Sequence, residues 1–361
     1  MKKNKCLICD FETNTIKYSL PTFDHFRYKA ISKNIIFKKC LKCSLIFNHR
    51  KIQNNFFYEK KYVQSKIGHI LYKKKNKVIT RELIFSKIIK SIFKQKTNLK
   101  ILDIGCSNGI LMKMLDKKLH NAKFFGIELS NHTKKIFPYK KNFILLIKPS
   151  LDRLTEKSYD LIILSHVFNY LNNPKKTLKQ LYRLLKAKGK LFIVLPNLKK
   201  NPYYSLMGDQ KLILTPNSSI NILNISGFSA KIINNHYLSR QLIIVATNKK
   251  LKKFNLKKDN LFEKNINIIK EKKIKIFKQK IEKPIIFGTN INSACIDELT
   301  GSKTLSFVDE NLNKNIKNFR NKEIIHPKKL REDNQVILSV HNNSQLKEKL
   351  KKKYSGKFLS I

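Results

Sequence analysis

Short apolar runs alternate with helical periodicity along the middle of the chain. Residues 101–104, 124–127, 161–164 and 191–195 are almost unbroken stretches of Ile, Leu, Phe and Val, the pattern of strands buried on both faces. Between them, residues 110–118 and 178–185 place apolar side chains three and four apart and predict helices. Strands alternating with helices predict a parallel sheet wound on both faces. Upstream, Phe56, Phe57, Tyr58 and Tyr62, then Leu83, Ile84, Ile88, Ile89 and Ile92, carry the same spacing and predict a helix pair. Downstream, a basic helix around 265–280 leads to a strand and turn at 284–288, a helix at 293–299 and strands at 305–309 and 336–340, a second, smaller α/β unit.

Composition narrows the class. A chain of 361 residues with 42% hydrophobic and 28% charged positions, 10 Gly and 9 Pro is neither collagenous nor broadly disordered. It has the length of two or three domains. Nothing approaches about 18 consecutive apolar residues, and no apolar stretch follows the first few residues, so neither a membrane span nor a secretion signal is expected, and the cytoplasm is the expected compartment. The net charge of +52 would suit nucleic acid or an anionic surface. Yet only eight of the 76 basic residues are Arg, the side chain whose planar fork reads bases and phosphates. The Lys excess, including 14 between 249 and 283, reads instead as a solvated surface with AT-rich codon usage.

Four of the six cysteines form two pairs, Cys6-x-x-Cys9 and Cys40-x-x-Cys43. In a reducing compartment such pairs favour metal over cystine. Four thiolates complete the tetrahedral set of a structural zinc and leave no open position, so the metal would hold loops together and activate no water. The 30 residues between the pairs exceed the usual spacing of about 15–20, so an insertion must loop out.

The run Leu102-Asp103-Ile104-Gly105-Cys106-Ser107-Asn108-Gly109 reads as strand, tight loop and helix start. Gly105 lets the backbone turn, and Gly109 lets a ligand approach the helix. A second strand ends at Glu128, about 20 positions on, where a carboxylate can accept both hydroxyls of a ribose. Ser107 stands where a dinucleotide fingerprint needs glycine for its pyrophosphate.

These segments, with Tyr159-Asp160-Leu161-Ile162, Ser165-His166-Val167, the turn at Lys188-Gly189, Gly208-Asp209-Gln210 and Ser226-Gly227-Phe228, resemble the class I S-adenosylmethionine-dependent methyltransferases over residues 78–248. The resemblance implies a doubly wound Rossmann-like core. It implies that Asp103 organises the loop and meets the cofactor's ammonium, that Gly105 and Gly109 line the loop, that Glu128 takes the ribose and that the adenine lies near Leu151 and Asp152. His166, at the carboxyl end of its strand, is the candidate general base. Asp209-Gln210 stands where related enzymes often have Asp-His, and Gln cannot serve as a base.

The order of four-cysteine knuckle, methyltransferase core and α/β tail is similar to that of the three-part sugar-nucleotide C-methyltransferases. The expected division is a zinc knuckle at 1–55, a helical connection at 56–96, the S-adenosylmethionine-binding core at 97–248, a basic linker and helix at 249–283, and a C-terminal α/β domain at 284–361. The function this implies is methyl transfer to a small molecule, a nucleotide-linked sugar. Two rivals stay open: an RNA methyltransferase with a zinc knuckle, and a non-catalytic zinc protein on a degenerate fold. Nucleotide binding by Gly288 and Asp309 in the tail is weaker than an architectural reading, because no full glycine fingerprint accompanies them.

Overall fold

The computed structural model describes residues 4–24, 27–50, 69–74, 77–93, 97–249, 253–279, 281–310, 317–340 and 344–361. The chain divides into two units, one of residues 1–14, 38–197 and 210–259, the other of 15–37, 198–209 and 260–361.

The first unit is built on a seven-stranded sheet: β1 (Lys100–Ile104), β2 (Lys123–Glu128), β3 (Phe143–Ile147), β4 (Tyr159–Ser165), β5 (Leu185–Pro196), β6 (Ser229–Ile233) and β7 (Gln241–Thr247). The spatial order is 3-2-1-4-5-7-6, with β7 antiparallel to both its neighbours and strands β1 to β5 parallel. Because successive strand side chains face opposite ways, the apolar runs supply two cores. Leu102, Ile162, Leu164, Leu191 and Ile193 face one, closed by Leu178, Leu181 and Leu184 of the helix Pro174–Leu184 and by Ile222 and Leu223 of the helix Pro216–Ile225. Ile101, Leu161, Ile163, Phe192 and Val194 face the other, closed by Phe85 and Ile89 of the helix Arg81–Ile92 and by Leu111, Met112 and Leu115 of the helix Ile110–Asp116.

The helices on the first face start where the sequence caps them. Asn173 accepts from Lys176 N ahead of Pro174, and Thr215 forms a reciprocal capping box with Ser218 ahead of Pro216. The turn expected at Lys188-Gly189 lies inside β5, as an irregularity in its pairing with β4 where Lys188 takes a left-handed φ of 63°. Of the expected helix pair, Tyr58 and Tyr62 lie outside the described residues. Its second member is the helix Arg81–Ile92, preceded by the strand pair Ile70–Lys74 and Lys77–Thr80.

The second unit holds its own parallel sheet, in the order Lys322–Ile325, Ser306–Val308, Ile285–Phe287, Gln335–Leu338, Lys357–Leu359, with Asn318–Phe319 added antiparallel at the edge. Arg320 and Asn321 close that edge hairpin with φ of 51° and 63°, the two positive angles a tight primed turn requires. Arg320 then reaches back to the helix Ile291–Leu299: its Nε donates to Asp297 Oδ2 at 2.7 Å and its Nη2 to Glu298 Oε2 at 2.7 Å. Asp297 is 1% exposed, and Lys322 is its other cationic partner. Lys322 stays within 3.2 Å of Asp297 when Arg320 is removed, so Arg320→Met should cost this unit the charged hydrogen bonds alone, about 1.5–3 kcal/mol. A denaturant midpoint unchanged by that substitution would show the pair to be superficial.

Candidate functional site

Strand β1 lies between β2 and β4, where the strand order reverses from 3-2-1 to 4-5, so the crevice of this sheet opens at the carboxyl ends of β1 and β4. The residues expected to carry chemistry gather there. Asp103, one residue from the end of β1, is 3% exposed, and Glu128, the last residue of β2, is 9% exposed. The loop between them turns on Gly105 (φ 76°), Ser107 (φ 49°) and Gly109 (φ 66°). Gly105 N and Cys106 N donate to Ile127 O at 2.8 and 3.1 Å, which lays the loop against the end of β2.

The carboxylate that ties the loop is Glu128. Its Oε2 accepts from Ser107 N at 2.8 Å and its Oε1 from Leu129 N at 2.7 Å. Sequence reasoning gave loop organisation to Asp103. Burial, reinforced by the charge on Glu128, pushes the Asp103 carboxyl up to about 7. Two carboxyl groups thus share a nearly water-free corner of a strongly basic chain. Such a corner favours a cation and hydroxyl donors over any anion.

Two contacts explain the glycines. A Cβ on Gly105 would lie 2.4 Å from Cγ2 of Val167, and one on Gly109 would lie 2.8 Å from Cδ of Pro138. The loop therefore abuts the segment that leaves β4. His166 begins that segment with φ 57°, a conformation few non-glycine residues adopt, and its N–H donates to Val194 O at 2.9 Å.

The adenine expectation fell on Leu151 and Asp152, which form a short 3₁₀ turn. Leu151 is partly buried against the first core, while the half-exposed Asp152 accepts from Gln180 Nε2 at 2.6 Å and pairs with Lys176 at 3.2 Å. Its side chain thus turns toward the helix Pro174–Leu184.

Cys6, Cys9, Cys40 and Cys43 converge, with all four Sγ atoms within 4.8 Å of one another. The separations are 3.6 Å for Cys6 to Cys43, 3.5 Å for Cys9 to Cys40 and 3.8 Å for Cys9 to Cys43. Zinc–sulfur bonds of about 2.3 Å in a tetrahedron imply edges of about 3.8 Å, so this donor set fits a zinc knuckle. Backbone amides of Ile8, Lys42 and Cys43 point at Cys6 and Cys40 sulfurs, each at 3.4 Å, and would hold thiolates in place. The cluster belongs to the same core as β1, β4 and β5, and Asn221 Nδ2 donates to Cys43 O at 3.2 Å.

Sequence reasoning missed two buried polar residues beside the crevice, Asn169 and Lys211. No spacing or motif marks either among the chain's many Asn and Lys residues.

Residues 78–221 match the methyltransferase domain family. A malonyl-[acyl-carrier protein] O-methyltransferase from Priestia megaterium is 35% identical over 94 residues, covering 25% of this chain and 34% of that protein. One of the same name from Bacillus cereus is 23% identical over 139 residues, covering 38% and 51%. The matched stretch thus spans about half or less of these relatives' own length. A solved S-adenosylmethionine-dependent methyltransferase from Aquifex aeolicus is 18% identical, with a TM-score of 0.37 over 46% of this chain and 90% of that one. Over residues 78–221 the chain therefore carries a segment that matches a methyltransferase domain.

Proposed function

We propose that the chain transfers a methyl group from S-adenosylmethionine to a small acceptor, a nucleotide-linked sugar. The observation that carries the cofactor half is the pair Asp103 and Glu128 beside the glycine loop, two carboxyl groups matched to an ammonium and a ribose. The cofactor supplies a methyl group activated on a sulfonium. In this reading Gly105 and Gly109 keep the loop thin enough for the cofactor to lie against it, and Glu128 fixes the loop before the ribose arrives. His166 would take a proton from an acceptor that carries one, and alignment of acceptor and methyl contributes the rest. The thiolate cluster would hold structural zinc, and its thiols suit a reducing compartment such as the cytoplasm. Among the described residues no helix is long and apolar enough to cross a membrane.

The sugar-nucleotide half rests on the order of knuckle, core and α/β tail. A carrier-borne carboxylate is the second acceptor class, suggested by the names of the two curated relatives. An acceptor panel of nucleotide sugars, malonyl thioesters and structured RNA, assayed with labelled cofactor at two salt concentrations, separates the readings. RNA methylation that falls steeply with salt, with no sugar product, would replace the proposal.

Asp103 makes cofactor binding depend on pH in a direction that can be checked. An ammonium pairs with the ionised carboxylate, so cofactor affinity should rise through about pH 7 and fall by up to ~10-fold per unit below it. In the free chain the sign is opposite. Folding holds a proton that the unfolded carboxyl has already released, so this group removes stability as pH climbs from the usual carboxylate range to about 7, and nothing more above that. Asp103→Asn should flatten both profiles, by calorimetry and by thermal melting. A wild-type affinity constant from pH 6 to 8 would exclude Asp103 from the cofactor's ammonium.

A further inference from the structure

We infer that Lys211 and Asn169 form an oxyanion-binding pair at the crevice edge, receiving a carboxylate or phosphate oxygen of the acceptor. The inference rests on the methyl-transfer reading and narrows its acceptor to one that bears an anionic group.

Both residues are buried, Asn169 at 2% exposure and Lys211 at 3%. They are adjacent: Lys211 N donates to Asn169 O at 2.9 Å. Asn169 lies in the 3₁₀ turn Phe168–Tyr170 that follows β4, two residues beyond the Val167 side chain that Gly105 abuts. Lys211 directly precedes the short strand Leu212–Ile213, which pairs with Ile46 and Phe47 just after the second cysteine pair. The knuckle's exit strand thus supports this corner: Asn48 N donates to Lys211 O at 2.9 Å, and Arg50 N donates to Asn48 Oδ1 at 3.0 Å.

Two features lack their complement. The Asn169 carboxamide has both Oδ1 and Nδ2 shielded from solvent and no hydrogen-bond partner for either. Lys211 Nζ donates to the Arg50 carbonyl at 2.9 Å, and among the described residues no carboxylate pairs with it. Burial alone pulls its ammonium pKa below the usual lysine value. A buried amide left unpaired and a buried cation left without a counter-ion each oppose folding, and their coincidence at a crevice edge is what a recognition site shows before its ligand binds. An oxyanion supplies the negative charge for Lys211 and an acceptor for the Asn169 N–H together. A neutral acceptor would leave the cation uncompensated.

The full chain, with and without saturating S-adenosylhomocysteine, is titrated with malonate and with inorganic phosphate at constant ionic strength while its melting temperature is recorded. The wild type should show a saturable rise with one or both anions, the preferred one separating carboxylate from phosphate acceptors. Lys211→Met should weaken the apparent anion affinity at least ~10-fold while melting no lower than the wild type in the absence of anion, because an uncompensated buried cation has gone. Asn169→Asp should place the missing counter-ion inside the protein, raising the melting temperature and blocking the anion response, and it gives an answer even if Lys211→Met does not fold. A wild type without saturable response, or either variant with an unchanged one, overturns the pair. Calorimetry of S-adenosylhomocysteine on the same samples keeps the two questions apart. Loss of the anion response with intact cofactor binding removes this site alone, whereas absent cofactor binding removes the methyl-transfer reading.

Discussion

Stripping metal from Cys6, Cys9, Cys40 and Cys43 is expected to lower the melting temperature of the first unit by at least ~10 °C, with stoichiometric zinc released to the chelator. Structural zinc contributes an apparent binding free energy of about 10–16 kcal/mol in small metal-folded domains, comparable with or above the whole stability of a typical fold, about 5–15 kcal/mol. At roughly 2–4 °C per kcal/mol for a unit of this size, even a third of that would be plain in a thermal scan. The loss should not stay local. Cys6, Cys40 and Cys43 share a core with Leu102, Leu164 and Leu191, so releasing the knuckle exposes the face on which β1, β4 and β5 pack. Cys40→Ser should reproduce the effect without chelator. Protein purified without zinc, melting identically with and without chelator, would make the cluster four unliganded thiols.

Gly105→Ala is expected to abolish measurable cofactor binding and to destabilise the first unit by about 2–5 kcal/mol. Two costs add. A left-handed backbone costs a residue with Cβ about 1–2 kcal/mol, and the new methyl would sit 2.4 Å from Val167 Cγ2, an overpacking of about 1–3 kcal/mol. They can be separated. Gly301 has a similar φ of 69°, and a Cβ there would meet nothing within 4 Å, so Gly301→Ala should show the backbone cost alone. Adding Val167→Ala to Gly105→Ala should remove the clash and leave the backbone cost. If Gly105→Ala and Gly301→Ala cost the same by chemical denaturation, the contact with Val167 is not what demands glycine.

Much of this architecture was legible because the residues that build it obey strict periods. Unbroken apolar runs such as 161–164 and 191–195, alternating with helical segments, read as strands buried in the middle of a parallel sheet, and the glycine loop with an acid about 20 positions on marks where that sheet opens. The cysteine cluster was equally legible, since two Cys-x-x-Cys pairs have few other uses. Less legible were the strands Asn318–Phe319, Lys322–Ile325 and Lys357–Leu359, too short to show a period of two. Contact order was hidden as well. The insertion between the cysteine pairs belongs with the second unit, where Tyr28 packs 5.0 Å from Phe319, a partner almost 300 positions away that no local pattern announces. At the site, the residue types at 103, 105, 109 and 128 pointed to a nucleoside-bearing cofactor, but not to which carboxylate ties the loop. That depends on Ser107 turning its N–H toward Glu128, a matter of dihedral angles. Asn169 and Lys211 were invisible for a plainer reason: their interest lies in the hydrogen bonds and charges they lack after folding.

The central claim is that the crevice formed by Asp103, Gly105, Gly109 and Glu128 holds S-adenosylmethionine, and calorimetric titration of the purified chain with that cofactor tests it most directly. Saturable binding to the wild type near pH 8, lost in Glu128→Ala and in Gly105→Arg while both variants keep their zinc, is the predicted result. No heat of binding with the wild type, or binding that survives both substitutions, would contradict it.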